Sequence, residues 1–192
     1  MKISTVVFDF FGVISSEVAP FWFAERYPEE EAKRLKDEYL SPADRGDIDE
    51  EELFGRLSAL SGEPAEEIDR DFMRRAVINP DTVALIEELR RKYRVALLSN
   101  AQASWLHKIL KANDLYRLFE TMVISGEEHI IKPEPEIFRL LVSRMGISPS
   151  EAVFLDDNPT NAEAARAVGM HGIVFKNAED AKNELRKLGV EI

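Results

Sequence analysis

Three short apolar runs in the sequence end on polar residues whose side chains could act together chemically. We interpret the runs as buried parallel strands, and they cover Ile3–Phe8, Arg94–Leu98 and Ala152–Leu155. The polar residues that follow them are Asp9, Ser99, Asn100, Asp156 and Asp157. Three carboxylates at one sheet edge repel one another unless a cation lies among them, and oxygen ligands without His or Cys favour Mg²⁺. The pattern therefore predicts a magnesium site where the strands end.

Lys132 is the candidate for a positive charge at the same place. It lies in the segment Ile131-Lys132-Pro133-Glu134-Pro135, which precedes the third strand, and prolines follow the lysine at positions 133 and 135. Its ammonium group could offset the carboxylate charge and bind a phosphate. Carboxylates, a hydroxyl, an amide and a lysine together suit phosphoryl transfer, because that reaction depends on positioning and charge neutralisation.

Helical patterns separate the predicted strands along most of the chain. Apolar residues recur at helical spacing in Thr82–Lys92, Glu136–Met145 and Asn161–Val168, and further strands are predicted at Val123–Ser125 and Gly172–Phe175. Alternating strands and helices predict an α/β fold, a Rossmann-like doubly wound parallel sheet. In such sheets ligands bind beyond the carboxyl ends of the strands, where the polar residues lie.

The stretch from residue 15 to residue 78 interrupts this alternation. It contains helical patterns only, at Glu29–Tyr39, Asp49–Leu60 and Pro64–Val77. We predict a small all-helical cap at 15–78, inserted after the first strand into a core made of residues 1–14 and 79–192. A cap at this position would cover the site and exclude water. Glu17, Glu25 and Arg26 lie early in it, but no pattern distinguishes them from surface residues.

Composition limits the partners and the compartment. The chain has no cysteine, which excludes disulfides and thiolate chemistry, and its net charge of −11 argues against a nucleic-acid partner. No apolar run reaches the roughly 20 residues that span a bilayer, and the apolar N-terminus is interrupted by Asp9. We expect a cytoplasmic protein with a small-molecule substrate, no nucleic-acid or membrane partner, and a monomeric or homodimeric state.

Four sequence segments resemble, in order and spacing, the four motifs of the haloacid-dehalogenase superfamily. They are Phe8-Asp9-x-x-Gly12-Val13, Leu98-Ser99-Asn100, Lys132-Pro133-Glu134-Pro135, and the segment from Asp156-Asp157-Asn158-Pro159 to Gly169-Met170. The resemblance extends over essentially the whole chain. Its nearest branch is that of the bacterial sugar-1-phosphate phosphatases and the N-terminal phosphatase domain of soluble epoxide hydrolases.

The resemblance implies a Mg²⁺-dependent phosphohydrolase of small phosphorylated metabolites, such as sugar phosphates, and gives each residue a role. Asp9 would be the nucleophile and a metal ligand, and Lys132 would neutralise charge. Phosphate oxygens would be held by Ser99, Asn100 and Gly12. The metal would be bound by Asp9, Asp157 and the backbone carbonyl of Phe11, with Asp156 beside Asp157 or one shell further out.

Phe11 departs from the pattern that the resemblance implies. Most phosphatases of this superfamily carry an acid–base Asp two residues after the nucleophile, and losing such a group typically costs about 10²–10⁴-fold in rate. One interpretation is a phosphatase whose acid comes from elsewhere. A second is a 2-haloacid dehalogenase, which needs no proton for halide and has an aromatic residue here, although it would lack the acidic pair. A third is a catalytically weak binding or regulatory protein.

Overall fold

The computed structural model describes residues 2–192 and contains a five-stranded parallel sheet. Its strands are β1 Thr5–Phe8, β2 Arg94–Ser99, β3 Thr121–Ile124, β4 Ala152–Asp156 and β5 His171–Val174. Their order across the sheet is β3-β2-β1-β4-β5, and all four neighbouring pairs are parallel. The α/β doubly wound fold predicted from the sequence is confirmed.

Ten α-helices connect and cover the strands in the part of the chain that is described. They are α1 Ala19–Ala24, α2 Glu29–Asp44, α3 Glu50–Ser61, α4 Ala65–Arg75, α5 Pro80–Leu89, α6 Ala103–Ala112, α7 Ser125–Glu128, α8 Pro135–Met145, α9 Pro159–Ala167 and α10 Ala178–Lys187. Two single-turn 3₁₀ helices lie at Tyr116–Leu118 and Pro149–Glu151. None of the helices found between residues 2 and 192 has the length and apolar character needed to cross a membrane.

The strand register brings the polar strand ends to one level. Phe8 at the end of β1 pairs with Leu97 of β2 on one side and with Leu155 of β4 on the other. The next residues along β1 and β4 are therefore level with each other, and they are Asp9 and Asp156. β1 is the central strand, so the polar residues that end both neighbouring strands lie on either side of its end.

The core has two layers, one on each face of the sheet. Successive strand residues point to opposite faces, and Val7, Leu98 and Phe154 pack against α8 and α9 on one face. Phe8, Leu97 and Leu155 belong to the core of the other face, which continues into the helices α1–α4. One hydrophobic core thus extends from the sheet to those four helices.

The helices α1–α4 lie between β1 and α5 in the sequence. The chain enters and leaves them side by side, because Ser15 and Ile78 form an antiparallel bridge and the Asn79 N–H donates to the Ile14 carbonyl at 2.8 Å. The predicted boundaries at 15 and 78 coincide with the two residues of this bridge. The division into core and cap stays a prediction.

Aromatic residues fill the interior of this helical part. Trp22 and Phe23 of α1 are fully buried. The ring of Phe72 in α4 packs edge to face against Trp22 and against Phe54. Phe21 of the same helix is 57% exposed. Three consecutive helical residues cannot all face one side, since each is rotated about 100° from the last.

Candidate active site

A buried ion-pair cluster lies at the carboxyl ends of β1 and β4. The Lys132 Nζ is 2.7 Å from Asp9 Oδ1 and 2.7 Å from Asp156 Oδ2, and its side chain is only 1% exposed. Asp9 is also buried, and its Oδ1 accepts the Phe10 N–H at 2.7 Å. Three residues that are far apart in sequence are therefore joined by direct charge-assisted hydrogen bonds.

Asn100 fixes the loop that carries Lys132. The Lys132 N–H donates to Asn100 Oδ1 at 2.8 Å, and the Asn100 Nδ2 donates to the Lys132 carbonyl at 2.9 Å. The ammonium group donates further to the Leu98 carbonyl at 3.2 Å. Asn100 thus ties the end of β2 to Lys132, in addition to the phosphate-binding role predicted for it.

Asp156 and Asp157 differ in how much of their bonding capacity is used. Asp156 is fully buried, and it accepts hydrogen bonds from Lys132, from the Asn158 N–H at 2.8 Å and from Asn161 Nδ2 at 3.1 Å. Asp157 is half-buried and lines a cavity. Asp156 is therefore occupied in holding the cluster together, whereas Asp157 faces the open space.

Gly12 allows Asp157 to occupy this position. Its φ is +77°, a backbone conformation that residues with a side chain rarely adopt, and a Cβ there would overlap the Asp157 carboxylate. Gly12 therefore lies against the Asp157 carboxylate, and it is not among the residues that line the cavity. Ser99 also lies off the cavity: it is fully buried at the end of β2, and its hydroxyl has no partner among residues 2–192.

Asp9, Asp156 and Asp157 form a group that could hold a metal ion. One carboxylate oxygen from each lies within 4.8 Å of the others. The carbonyl of Phe11 accepts no hydrogen bond from any residue described, so it is available as a further oxygen ligand. An all-oxygen set of this kind suits a hard divalent cation.

The charges of the site perturb one another. Burial raises the pKa of Asp9 well above its usual range, and the Asp156 charge adds to this while Lys132 opposes it. Burial disfavours the charged form of Lys132, yet Asp9 and Asp156 together leave the Lys132 pKa raised. Burial and then Asp156 raise the pKa of Asp157. Three carboxylates face one ammonium group, so the site favours an added cation.

The cavity above the cluster has a volume of about 210 Å³. Its polar floor consists of Asp9, Asn100, Lys132 and Asp157, together with Asn158 and Asn161 of the loop and helix after β4. Helices α2, α3 and α4 contribute the opposite side with Leu40, Leu53, Phe54 and Phe72. The volume of the cavity is small for a ligand pocket, so the cavity suits a small ligand.

Phe11 forms part of an aromatic wall of the cavity. Its ring stacks on Trp105 of α6, with centroids 5.6 Å apart and an interplanar angle of 19°. Trp105 is 6% exposed, and its indole N–H is buried with no hydrogen-bond partner between residues 2 and 192. Phe11 places a hydrocarbon ring where the resembling phosphatases have a carboxyl group, so it cannot exchange protons.

Glu17 and Asp44 are carboxyl groups that line the cavity, although no sequence pattern distinguishes either from a surface residue. Burial raises the pKa of Glu17 to about 7, with Asp157 adding to the effect. Burial also raises the pKa of Asp44 to about 7. Lys36 of α2 lines the cavity as well. Glu17 lies between β1 and α1, and Lys36 and Asp44 lie on α2, so their positions at the cavity depend on how the helical part folds over the sheet.

The two other candidates from the same stretch are bound elsewhere. Glu25 pairs with Arg75 at 2.6 Å, and Arg26 pairs with Glu63 at 2.8 Å. Arg26 also stacks over the Trp22 ring at 4.2 Å. Both residues stabilise contacts between helices and lie outside the cavity lining.

The protein is thus an α/β protein with a parallel sheet, whose strand ends carry a buried cluster of carboxylates and a lysine. The family model of haloacid dehalogenase-like hydrolases matches residues 3–169, and the chain belongs to this family. The superfamily resemblance drawn from the four motifs is thereby confirmed.

Solved structures with this fold include a HAD family enzyme from Bacteroides thetaiotaomicron. It is 26% identical, the match covers 97% of this chain and all of that one, and the TM-score is 0.81. The same enzyme was also solved in complex with magnesium and inorganic phosphate, at 25% identity and a TM-score of 0.75, covering 91% and 94% of the two chains.

Curated relatives include phosphatases and a dehalogenase. A sesquiterpene phosphatase from Aspergillus oryzae is 28% identical over 149 residues, covering 76% of each chain. A phosphoserine phosphatase from Thermus thermophilus is 33% identical over 102 residues, covering 52% of this chain and 41% of that one. An (S)-2-haloacid dehalogenase from Burkholderia cepacia is 30% identical over 95 residues, covering 49% and 41%. The chain spans less than half the length of several curated relatives that it matches.

Proposed function

We propose that this protein is a Mg²⁺-dependent phosphatase of small phosphorylated metabolites that works through an aspartyl-phosphate on Asp9. The observation that carries the proposal is the placement of Asp9, Lys132 and Asp157 on the floor of one small cavity. The magnesium and phosphate complex of the Bacteroides enzyme supports the same class of ligand. Sugar phosphates remain among the proposed substrates, because the cavity has both polar and aromatic walls.

Asp9, Asp157 and the Phe11 carbonyl are the proposed metal ligands. Asp156 is assigned one shell further out, because Lys132, Asn158 and Asn161 already use its lone pairs. Bound Mg²⁺ would neutralise charge on the phosphate and the carboxylates. A cation close to Asp9 also favours its ionised form, which offsets the burial that raises its pKa in the protein alone.

Each proposed role follows from what the side chain contacts. Asp9 would attack phosphorus through a carboxylate oxygen, and the phosphoryl group would pass to it from the leaving oxygen. Lys132 would orient Asp9 through the 2.7 Å ion pair and balance the negative charge of the phosphate. Water would then attack phosphorus, which restores Asp9 and releases phosphate.

A 2-haloacid dehalogenase is the second candidate, and the aromatic residue Phe11 favours it. The similarity to the dehalogenase from Burkholderia cepacia supports the same reading. Against it stands Asp157, a half-buried carboxylate beside Asp9 and Asp156 that halide displacement does not require. A dehalogenase would release halide from a 2-haloacid in the presence of EDTA.

The test is phosphate release from a panel of phosphate monoesters, including hexose 1-phosphates, with Mg²⁺ and with EDTA. Asp9→Asn is the control variant, since it keeps the shape of the side chain and removes the nucleophile. We expect Mg²⁺-dependent release that the variant lowers by orders of magnitude. Equal release by the wild type and the variant would reject the proposal, and halide release that survives EDTA would favour the dehalogenase.

A further inference from the structure

We propose that Glu17 is the acid–base residue that supplies the protons Phe11 cannot supply. This inference rests on the proposed phosphatase function and adds a catalytic residue to it. Glu17 belongs to the segment between β1 and α1, five residues beyond Gly12. It would protonate the leaving oxygen and later accept a proton from the attacking water.

The position of Glu17 is the first argument. Its side chain lines the same cavity as Asp9, Lys132 and Asp157. Within residues 2–192, its carboxyl group makes no hydrogen bond and no ion pair, although the side chain is half-buried. Most half-buried carboxylates of this chain are paired, as Asp71 is with Arg75 at 2.8 Å. A carboxyl group left unpaired beside a nucleophile is free to bond to a ligand.

The surroundings of Glu17 suit proton transfer. The charged groups facing it are Asp157, Asp156 and Lys132 at the strand ends, and Lys36 and Asp44 on α2. Burial contributes most to raising its pKa, to about 7, and the Asp157 charge adds to this effect. A carboxyl group with a pKa near the working pH can give up and regain a proton in each cycle.

Asp44 is the competing carboxyl group, and its contacts favour another role. Burial raises the pKa of Asp44 and the backbone N–H of Gln102 partly offsets this, so the carboxylate lies against the loop after β2. The Asp44 carbonyl accepts the Ser125 hydroxyl as well. Asp44 is therefore a fixed neighbour of Glu17, whose charge raises the Asp44 pKa further.

The proposed reaction is balanced, because Glu17 gives up one proton in the first step and takes one back in the second. In the first step an Asp9 oxygen bonds to phosphorus, the bond from phosphorus to the leaving oxygen breaks, and the Glu17 proton moves to that oxygen. In the second step the Glu17 carboxylate takes a proton from water, whose oxygen bonds to phosphorus while the Asp9–phosphorus bond breaks. Free phosphate leaves, and Asp9 and Glu17 return to their starting states.

A series of leaving groups separates this role from a structural one. Glu17→Gln keeps the size of the side chain and removes its acid. We expect it to lower kcat for an alkyl phosphate by about 10²–10⁴-fold, because an alkoxide leaves poorly without a proton. For p-nitrophenyl phosphate, whose phenolate leaves unaided, we expect a loss of about threefold or less in the first step. A retained first-step burst of nitrophenolate also shows that the variant is folded, whereas steady-state turnover falls for every ester because the second step needs Glu17 as well.

Two further variants and the wild type complete the test. Glu67→Gln changes an exposed, unpaired glutamate of α4 and should match the wild type on every ester. Equal losses of the first-step rate for Glu17→Gln across the series, or no loss, would overturn the assignment. A leaving-group dependence of the first step found in Asp44→Asn instead would overturn it as well. A wild type that hydrolyses no ester would reject the phosphatase function itself, and the role of Glu17 with it.

Discussion

Replacing Lys132 by Met tests whether the ion-pair cluster holds the site together. Met is unbranched, similar in length and apolar, so it can keep the packing against Phe154, whose ring centre lies 5.3 Å from the ammonium group. The substitution removes hydrogen bonds of 2.7 Å to both Asp9 and Asp156. It leaves two buried carboxylates without their shared cation.

The magnitude follows from burial. Removing one partner from a buried ion pair typically costs about 3–5 kcal/mol, because the other charge stays buried and unpaired. The side chains of Lys132 and Asp156 are 1% and 0% exposed, so solvent cannot compensate. At about 2–4 °C per kcal/mol for a chain of this size, the midpoint of thermal unfolding should fall by about 6–20 °C. Urea unfolding measures the free energy directly.

The pH dependence of this loss has a definite sign. The pKa of Lys132 is raised by folding, so its contribution is complete at neutral pH and is lost only as the pH rises through the folded value. Removing Lys132 raises the pKa of Asp9 further, since the ammonium group was lowering it. Acidification then neutralises Asp9, and the deficit of Lys132→Met should be smaller at about pH 5 than at about pH 7.

An exposed ion pair is the matched control for Lys132→Met. Lys33 pairs with Glu29 on the surface of α2 at 2.9 Å, and Lys33→Met should leave the free energy of unfolding nearly unchanged. Equal losses for the two variants, or a loss below about 1 kcal/mol for Lys132→Met, would refute the reasoning from burial.

Three further predictions concern Mg²⁺, Gly12 and Glu17. Excess Mg²⁺ at about 100 times its Kd should stabilise the wild type by about 2.7 kcal/mol in thermal melts, and Asp157→Asn should lose most of that shift; an unchanged shift would exclude Asp157 as a ligand. Gly12→Ala should cost about 1–2 kcal/mol and weaken the Mg²⁺ shift, because φ is +77° and its Cβ displaces Asp157; an unaltered melt would contradict this. Burial raises the Glu17 pKa from 4.5 to about 7, so stability is lost as pH rises through that window. Glu17→Gln should exceed the wild type at about pH 8 and match it near pH 5, whereas a constant difference would oppose the assignment.

The sheet could be predicted from the sequence because its strands carry their own signal. The runs that predicted β1, β2 and β4 overlap the observed strands, and each ends within one residue of the observed strand. The parallel register then places Asp9 beside Asp156 without further information. The edge strands β3 and β5 are short and only partly buried, so their predicted positions are offset by one or two residues.

The helical part and the cavity were less predictable. The predicted helix Glu29–Tyr39 continues to Asp44 despite Pro42, and it is this last turn that brings Asp44 to the cavity. The helix α1 was not predicted, because its six residues are too few for a periodic pattern. Burial and the nearby Asp157 charge raise the pKa of Glu17, and both effects exist only in the folded chain. Sequence motifs therefore found the floor of the site, and packing determined its walls.

Chemical trapping of the phosphorylated enzyme tests the central claim most directly. Borohydride reduces an aspartyl-phosphate to homoserine, which peptide mass spectrometry locates in the chain. With Mg²⁺ and a hydrolysed phosphate ester, the account predicts homoserine at residue 9 in the wild type, and none with EDTA or in Asp9→Asn. Phosphate release at the full rate without modification at residue 9, or with modification at another carboxylate, would contradict it.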